Sequence, residues 1–252
     1  MTTADVRPFN ARSLVLSVLL GLPDPRLSTA AIVRLGGHFD LAAGTMRTAV
    51  SRMVGAGELT RHDDEYRLTG SLLDRKQSQD AGRRPSPSAW DGSWWTLVTT
   101  APRRTLTDRR QFRTAMTNAR MGELRPDAWL RPANLGQDPT GGAGGMAAVR
   151  GPIVGIVPGA LARRLWDLDA LAARCRELAE RIDVDVDDLS RRGPAALPTT
   201  MPRSADIVRF LRVEPRLPAE LVPKNWPVDD LRRRYKTLDR ALGIALQAAT
   251  TP

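Results

Sequence analysis

The chain has 252 residues and a formal net charge of +10 at neutral pH, with 42% hydrophobic and 26% charged residues. This balance is typical of a folded protein of two or three domains and excludes an entirely disordered chain. Its single cysteine, Cys175, excludes an internal disulfide framework, and its two distant histidines leave little for a zinc site or imidazole catalysis. The sequence pI of about 11.0 favours an anionic partner, nucleic acid above all.

No segment is apolar for long enough to cross a membrane. The longest apolar run, residues 14–22, is far shorter than the roughly 20 residues that span a bilayer. The N-terminus lacks the basic, apolar and small-residue order of an export signal. We therefore expect a soluble, cytoplasmic protein with no membrane partner.

The first segment, residues 1–80, is predicted to form three helices and a short hairpin. Asn10 or Ser13 can cap the first helix and Ser28 the second, and Gly57 ends the third. The first predicted helix ends near residue 20, and the second and third cover about 29–38 and 44–56. The two predicted strands cover 59–61 and 66–69. This order is that of a winged helix-turn-helix.

The third predicted helix has one apolar and one polar face. Its apolar positions follow helical spacing: Met46, Ala49, Val50 and Met53. An ordinary amphipathic helix with a solvated polar side is the alternative to a DNA-reading helix. Two features favour DNA: residues 41–57 contain no Asp or Glu, and the hairpin follows at once.

Short hydroxyls and arginines suit a helix that approaches bases and phosphates closely. We expect Thr45, Thr48 and Arg52, which share a face, to contact bases. The residues expected on phosphates are Arg47 and Ser51 beside them, and Arg61 and Arg67 in the hairpin.

The middle segment, residues 90–160, is predicted to be a small ferredoxin-like α+β domain. It follows a Pro- and Ser-rich break at 81–89. A strand at 94–100 precedes a helix at about 106–121, and further strands are predicted at 124–125, 128–131 and 146–157. The glycine-rich stretch 141–145 is interpreted as a flexible loop. An arginine cluster follows the first strand of this segment, at positions 103, 104, 109, 110 and 113. It is either an anion-binding site or a solvated loop and helix face, and we favour the solvated face.

The last segment, residues 161–252, is predicted to be a helical domain. Helices are expected at about 164–181, from Ser204 or Asp206 to about 213, and at about 229–248, with the Pro-rich passage 194–202 breaking the chain. The last helix carries an apolar stripe, which is either core or a dimer seam: Leu231, Tyr235, Leu238, Leu242 and Leu246.

Four ordered motifs extend along nearly the whole chain. They are MRTAVSRMV at 46–54 with GEL at 57–59 and YRLT at 66–69, WDGSWW at 90–95, AWLRP at 128–132, and LWDLDAL at 165–171 with LPAELVP at 217–223 and WP at 226–227. Together they resemble the phenylacetate-operon repressor family, the PaaX-like regulators.

The resemblance implies a dimeric transcriptional regulator, usually a repressor of a catabolic operon, that binds partly palindromic double-stranded DNA. It also implies a winged helix, a ferredoxin-like domain similar to CRISPR-associated small nucleases, a helical C-terminal domain, and release by an acyl-CoA effector, an aryl-CoA thioester such as phenylacetyl-CoA.

The alternative function is a metal-dependent nuclease built on the central domain. The nuclease-like relatives of that domain hold metal through an Asp after the first strand, whereas residues 98–102 here contain no carboxylate. Asp91 and Asp108 are the nearby candidates. We therefore expect no catalysis, no cofactor and no metal. A helical adaptor that binds a protein through the C-terminal stripe is a third possibility.

Overall fold

The structure, a computed structural model, describes residues 9–84, 89–100, 106–136, 139 and 145–251. The chain forms two compact units. The first unit comprises Met1–Arg83, Glu177–Leu211 and Asp230–Pro252, and the second unit comprises Arg84–Arg176 and Arg212–Asp229. Segment 161–252, expected to be one helical domain, therefore contributes residues to both units. The architecture is α+β, as predicted, and is predominantly helical with two antiparallel sheets among the described residues.

The N-terminal part of the first unit alternates helices with short strands. Asn10 Oδ1 accepts from the Ser13 amide and Ser28 Oγ accepts from the Ala31 amide, so Asn10 caps the first helix and Ser28 the second. The strands β1 (Arg26–Ser28), β2 (Leu59–His62) and β3 (Glu65–Leu68) pair antiparallel in the order β1-β3-β2. The elements are α1 (Ala11–Gly21), β1 (Arg26–Ser28), α2 (Thr29–Gly37), α3 (Ala43–Gly55), β2 (Leu59–His62), β3 (Glu65–Leu68) and α4 (Ser71–Arg83).

Helices α1, α2 and α3 pack against one another around a shared core. Leu14 and Leu19 of α1, Ile32 and Leu35 of α2, and Met46 of α3 are fully buried. Helix α3 ends as expected, because Gly57 has a φ of +69°, a left-handed conformation that glycine adopts without steric cost. Neither β1 nor α4 is among the elements predicted from the sequence.

The C-terminal part of the first unit is helical and corrects one expectation. The prolines at 194–202 do not break the chain. Residues Gly193–Ala196 form a 3₁₀ turn that continues directly into α9 (Leu197–Val213), and Pro202 is buried inside that helix. Thr200 Oγ1 donates to the Ala196 carbonyl at 3.0 Å in the turn before Pro202. The helices in this region are α8 (Ile182–Arg192), α9 (Leu197–Val213) and α10 (Val228–Thr250).

The second unit contains an antiparallel sheet of β4 (Trp94–Thr99), β5 (Gly122–Arg125), β6 (Ala128–Pro132) and β7 (Met146–Gly151), in the order β5-β6-β4-β7. This is the strand order of a ferredoxin-like sheet. Its last strand is shorter than expected and ends before Pro152, and Gly155 has a φ of +85°. The elements are β4 (Trp94–Thr99), α5 (Leu106–Asn118), β5 (Gly122–Arg125), β6 (Ala128–Pro132), β7 (Met146–Gly151), α6 (Pro158–Leu165) and α7 (Leu168–Ala179), which begins in this unit.

Both faces of this sheet are covered. Trp94 and Leu130 share one face and pack with α6 and with Leu217. Leu97 and Trp129 share the other face and pack with Met116 and Met121, while Arg131, also on that face, donates to the carbonyl of Ala119 at 3.1 Å. The centre of the sheet is therefore buried on both sides, which explains why every residue of β6 is buried.

Some sequence-based interpretations fall on residues outside those described. They are the centre of the Pro- and Ser-rich break at 85–88, Arg103 and Arg104 of the arginine cluster, and 141–144 of the glycine-rich stretch. Across the described ranges, no helix combines the length and apolar character needed to span a bilayer.

Candidate nucleic-acid interface

Helix α3 presents a polar face opposite its buried side. Met46, Val50 and Met53 are buried, at 2% exposure or less, which fixes the rotation of the helix about its axis. The five side chains expected to face DNA from α3 are all exposed: Thr45, Arg47, Thr48, Ser51 and Arg52. The helix is therefore held by its apolar positions while its hydroxyls and guanidinium groups stay accessible.

The exposed face of α3 has two edges with different neighbours. Along one edge, Thr45, Thr48 and Arg52 line a groove with Arg12 and Glu58. The structure thus brings together the three residues expected to contact bases. Arg47 lies at the other edge, beside the start of α2 and the hairpin tip. The arrangement separates it from the proposed base-reading residues, as a flanking phosphate contact requires.

The charge on this face is unbalanced. Among the described residues, no carboxylate forms an ion pair with Arg47 or Arg52. The carboxylate in the groove belongs to Glu58, whose Oε2 accepts from Arg12 Nε at 3.0 Å. The hydrogen bond from Arg12 lowers the pKa of Glu58 below its usual 4.5, so this carboxyl is ionised at pH 7. Its negative charge is balanced by the positive charge of Arg12. No sequence pattern indicates Arg12, because it lies 46 residues from Glu58.

The first turn of α3 is uncapped. Its N-cap residue, Ala42, offers no side-chain acceptor, whereas Asn10 and Ser28 cap α1 and α2. Uncapped amides at a helix start bind water or an anion, and the helix dipole favours negative charge there. This end of α3 is therefore compatible with a nearby phosphate.

The β2–β3 hairpin carries the two remaining predicted contacts, Arg61 and Arg67, and both are exposed. Arg61 Nε donates to the Asp63 carbonyl at 2.9 Å, and its Nη2 lies 3.9 Å from Asp64 Oδ1. Arg67 Nη2 donates to Glu65 Oε2 at 3.2 Å. These exposed ion pairs contribute only about 0–1 kcal/mol each, so replacing either of them by a phosphate contact would cost little.

The acidic hairpin tip is anchored to α2. Asp64 Oδ1 accepts from Thr29 Oγ1 at 2.7 Å, and the Asp64 carbonyl accepts from the Thr29 amide at 3.1 Å. Asp63 has a φ of +53°, which turns the chain at the tip. The hairpin therefore has a fixed position beside the start of α2.

The carboxylates considered for a nuclease lie in the second unit. Asp91 Oδ2 is 2.6 Å from Arg150 Nη2, and its Oδ1 accepts from the Ser93 amide at 2.9 Å. That amide hydrogen bond lowers the pKa of Asp91. Asp108 lies in the first turn of α5. In the part of the chain that the structure describes, no group of three or more His, Cys, Asp or Glu residues is placed to hold a metal.

The arginine cluster of the middle segment is only partly described. Arg109, Arg110 and Arg113 lie on α5, and all three are exposed. Arg113 Nη2 donates to Glu123 Oε1 at 2.8 Å. An exposed face with an ion pair to a neighbouring strand agrees with the solvated interpretation that the sequence favours.

Two parts of the sequence match known families. Residues 10–72, which include all of α3, match the PaaX-like protein family. Residues 87–140 match the central Cas2-like domain of PaaX proteins. The chain belongs to the PaaX-like family. Members of this family are known as regulators. At the level of the family, this PaaX-like protein is therefore a transcriptional regulator.

A solved structure supports the fold of this PaaX-like protein along its length. The uncharacterized protein Rv0674 from Mycobacterium tuberculosis is 34% identical to it, with a TM-score of 0.73. The similarity covers 96% of this chain and 99% of that chain. No protein with a curated description matches the sequence.

Proposed function

We propose that this PaaX-like protein is a sequence-specific DNA-binding regulator whose segment α1–β3 acts as a winged helix-turn-helix. The exposed, carboxylate-free face of α3 carries the proposal, because its two arginines have no competing ion pair among the described residues. The order of the elements, α1, β1, α2, α3, β2 and β3, also supports it, because three packed helices are followed directly by a hairpin. Helix α3 enters the major groove, as the second helix of such motifs does.

Each residue of the interface has a stated role. Thr45, Thr48 and Arg52 contact base edges, since a guanidinium pairs with guanine through two hydrogen bonds and short hydroxyls contact either base type. Arg47 and Ser51 contact the phosphates that border the groove. The hairpin arginines hold the backbone further out.

We extend the proposal to the biological unit. One helix reads only a few base pairs, so a homodimer on a partly palindromic operator supplies the specificity that a regulator needs. Family membership supports a repressor of a catabolic operon, released by an anionic effector such as an aryl-CoA thioester. The net charge of +10 suits both anionic ligands. The protein acts in the cytoplasm and is not an enzyme.

A gel-shift experiment on the DNA immediately upstream of the gene tests the DNA-binding proposal. Arg52→Ala is expected to weaken specific binding by about 1–3 kcal/mol and to relax the preference at one base position. Arg191→Ala is the matched control, because Arg191 is an exposed arginine on α8 that pairs with Asp187 at 2.7 Å. Equal affinity of Arg52→Ala and the parent protein would overturn the assignment of α3.

The release of DNA by an effector and the absence of nuclease activity are tested separately. A panel of acyl-CoA thioesters, including phenylacetyl-CoA, added to the preformed complex is expected to free the DNA for at least one member. Supercoiled plasmid incubated with the protein and Mg²⁺ or Mn²⁺ is expected to stay intact. Cleavage that depends on the metal would favour the nuclease instead.

A further inference from the structure

The first unit contains a cavity of about 420 Å³ between the end of α1, α4, α9 and α10. This volume lies within the range of about 300–1,000 Å³ that small-molecule sites occupy. Part of the cavity lining is apolar, and its side chains come from three helices and the turn after α1: Leu20, Leu22, Met201, Val208, Leu242 and Leu246. An apolar wall of this kind accommodates a hydrocarbon or aromatic group.

The polar side of the cavity is strongly cationic. Five lining residues carry positive charge, Arg75, Arg83, Arg209, Lys236 and Arg240, against one lining carboxylate, that of Asp239. Lys236 and Arg240 lie four positions apart and are therefore neighbours on one face of α10. Both are exposed and, within the described ranges, form no ion pair. Arg209 pairs with Asp206, and Arg83 lies beside Asp80 and Asp239, so the uncompensated positive charge of the lining comes from Lys236 and Arg240.

Four of the lining residues, Arg83, Ser204, Tyr235 and Asp239, form a connected polar cluster. Tyr235 OH lies 3.2 Å from both Ser204 Oγ and Asp239 Oδ1, and the Arg83 guanidinium carbon is 5.6 Å from the centre of the Tyr235 ring. Arg83 Nη1 and Nη2 lie 3.6 Å from Asp80 and 4.0 Å from Asp239, while its Nε is buried with no acceptor among the described residues. A buried N–H without a partner favours an acceptor supplied from outside the protein.

We propose that this cavity binds an organic anion with one apolar tail of medium length, with the anionic head among Arg83, Lys236 and Arg240 and the tail on the leucine-rich wall. The two halves of the cavity select this chemistry. A neutral lipid leaves Lys236 and Arg240 without an anionic partner, and a small inorganic anion leaves the apolar residues of the lining in contact with water. A carboxylate with a chain of about eight carbons satisfies both within a site of this size.

The position of the cavity gives the ligand a regulatory role. The end of α1 forms part of the wall, and α1 packs against α3 in the same unit. A ligand that binds one arrangement of α1 more tightly than another shifts the population toward that arrangement and so changes the presentation of α3. This regulatory part rests on the proposed function, whereas the binding site does not.

Calorimetry on the full chain without DNA tests the site. Octanoate is the probe, with octanol and octylamine as neutral and cationic molecules of the same tail. Octanoate is expected to bind at least tenfold more tightly than either, since only the carboxylate meets the cationic side. Equal binding of all three, or no binding of octanoate, would overturn the proposal. Octanoyl-CoA carries the same tail, but its anionic groups are on the CoA phosphates and not at the end of the tail. Comparing it with octanoate therefore distinguishes a site for a thioester from a site for a free acid.

Three variants locate the binding. Arg240→Gln is expected to weaken octanoate binding three- to tenfold, while Arg233→Gln, an exposed arginine on the same helix outside the cavity, leaves it unchanged. Gly243→Trp places a large side chain at a lining position where an added Cβ meets nothing within 4 Å, and it is expected to abolish binding. Unchanged binding in Gly243→Trp, with an intact circular dichroism spectrum, contradicts the assignment even if the protein binds DNA as proposed.

Discussion

Tyr235 illustrates how burial sets the behaviour of a single ionisable group. Its side chain is 2% exposed, and burial raises the pKa of its phenol from 10.0 to about 12. The unfolded chain, in which the phenol is solvated, therefore ionises first as the pH rises. The stability that this difference contributes is present below pH 10 and is lost between pH 10 and about 12.

The corresponding prediction concerns stability in alkali. From a difference of about two pKa units, the parent protein is expected to lose about 2 kcal/mol of unfolding free energy relative to Tyr235→Phe between pH 10 and 12. Phenylalanine keeps the ring beside Arg83 but cannot ionise. Urea unfolding of both proteins at pH 9.5 and 11.5 measures the difference. Parallel pH dependences would show that Tyr235 is solvated.

At the scale of elements, the crossing of α2 and α3 depends on a glycine. A Cβ on Gly36 would lie 2.5 Å from Met46 Cγ and 3.3 Å from the Leu41 carbonyl oxygen, and Met46 is fully buried. Because Met46 is enclosed in the core, an added methyl group at Gly36 requires neighbouring core side chains to shift. The close approach fixes the separation of the two helices and, with it, the position of the exposed face of α3.

We predict opposite effects for the two neighbouring glycines of α2. Gly36→Ala is expected to destabilise the protein by about 1–2 kcal/mol, because overpacking outweighs the gain in helix propensity. At Gly37 an added Cβ meets nothing within 4 Å, so Gly37→Ala is expected to be neutral or stabilising by up to about 1 kcal/mol. Thermal unfolding of both variants checks the prediction. A Gly36→Ala protein as stable as the parent would place Met46 in a looser site.

The hairpin is expected to affect DNA binding differently from α3. Because Arg61 lies on the hairpin and contacts phosphate in the proposal, Arg61→Ala is expected to weaken binding to all sequences alike. It should also lower the slope of log affinity against log salt by about one. Titrations of specific and unrelated DNA at several salt concentrations measure both quantities. A loss confined to one base position would assign Arg61 to base contact instead.

The elements that the sequence predicts best are those whose caps and periodicity agree. Helix α2 begins at Thr29 after Ser28 as expected, because the cap and the apolar spacing coincide. Helix α4 was missed because polar Lys76 and Gln79 occupy its buried positions, which leaves no amphipathic pattern to detect. The continuous helix through Pro202 was missed because local proline chemistry predicts a break, whereas the burial of Pro202 and its neighbours on α9 favours the helix.

Some features of the candidate interface can likewise be predicted from the sequence, and others cannot. The exposure of Thr45, Thr48 and Arg52 follows from the helical spacing of Met46, Val50 and Met53, so the sequence alone predicts it. The pairing of Arg12 with Glu58 and the cationic cavity do not follow from any local pattern. Both bring together residues that are distant in the sequence, and only the fold places them side by side.

At the scale of the whole molecule, the proposed regulator needs two copies of α3. One exposed helix face of this length reads only a few base pairs, and each correct pair contributes about 1–3 kcal/mol of discrimination. A symmetric pair of chains doubles the number of bases read, and it requires two half-sites on the same side of the duplex, about 10 base pairs or a multiple apart.

This requirement predicts a dependence on helical phase. Inserting five base pairs between the half-sites of the bound upstream DNA rotates one half-site to the opposite side of the duplex and is expected to weaken binding at least about tenfold, since one set of base contacts is lost. Inserting ten base pairs restores the side and is expected to recover part of the affinity. Sedimentation should give twice the chain mass of 27.6 kDa. Affinity that is insensitive to both insertions, with a monomer in sedimentation, would mean that one chain binds alone.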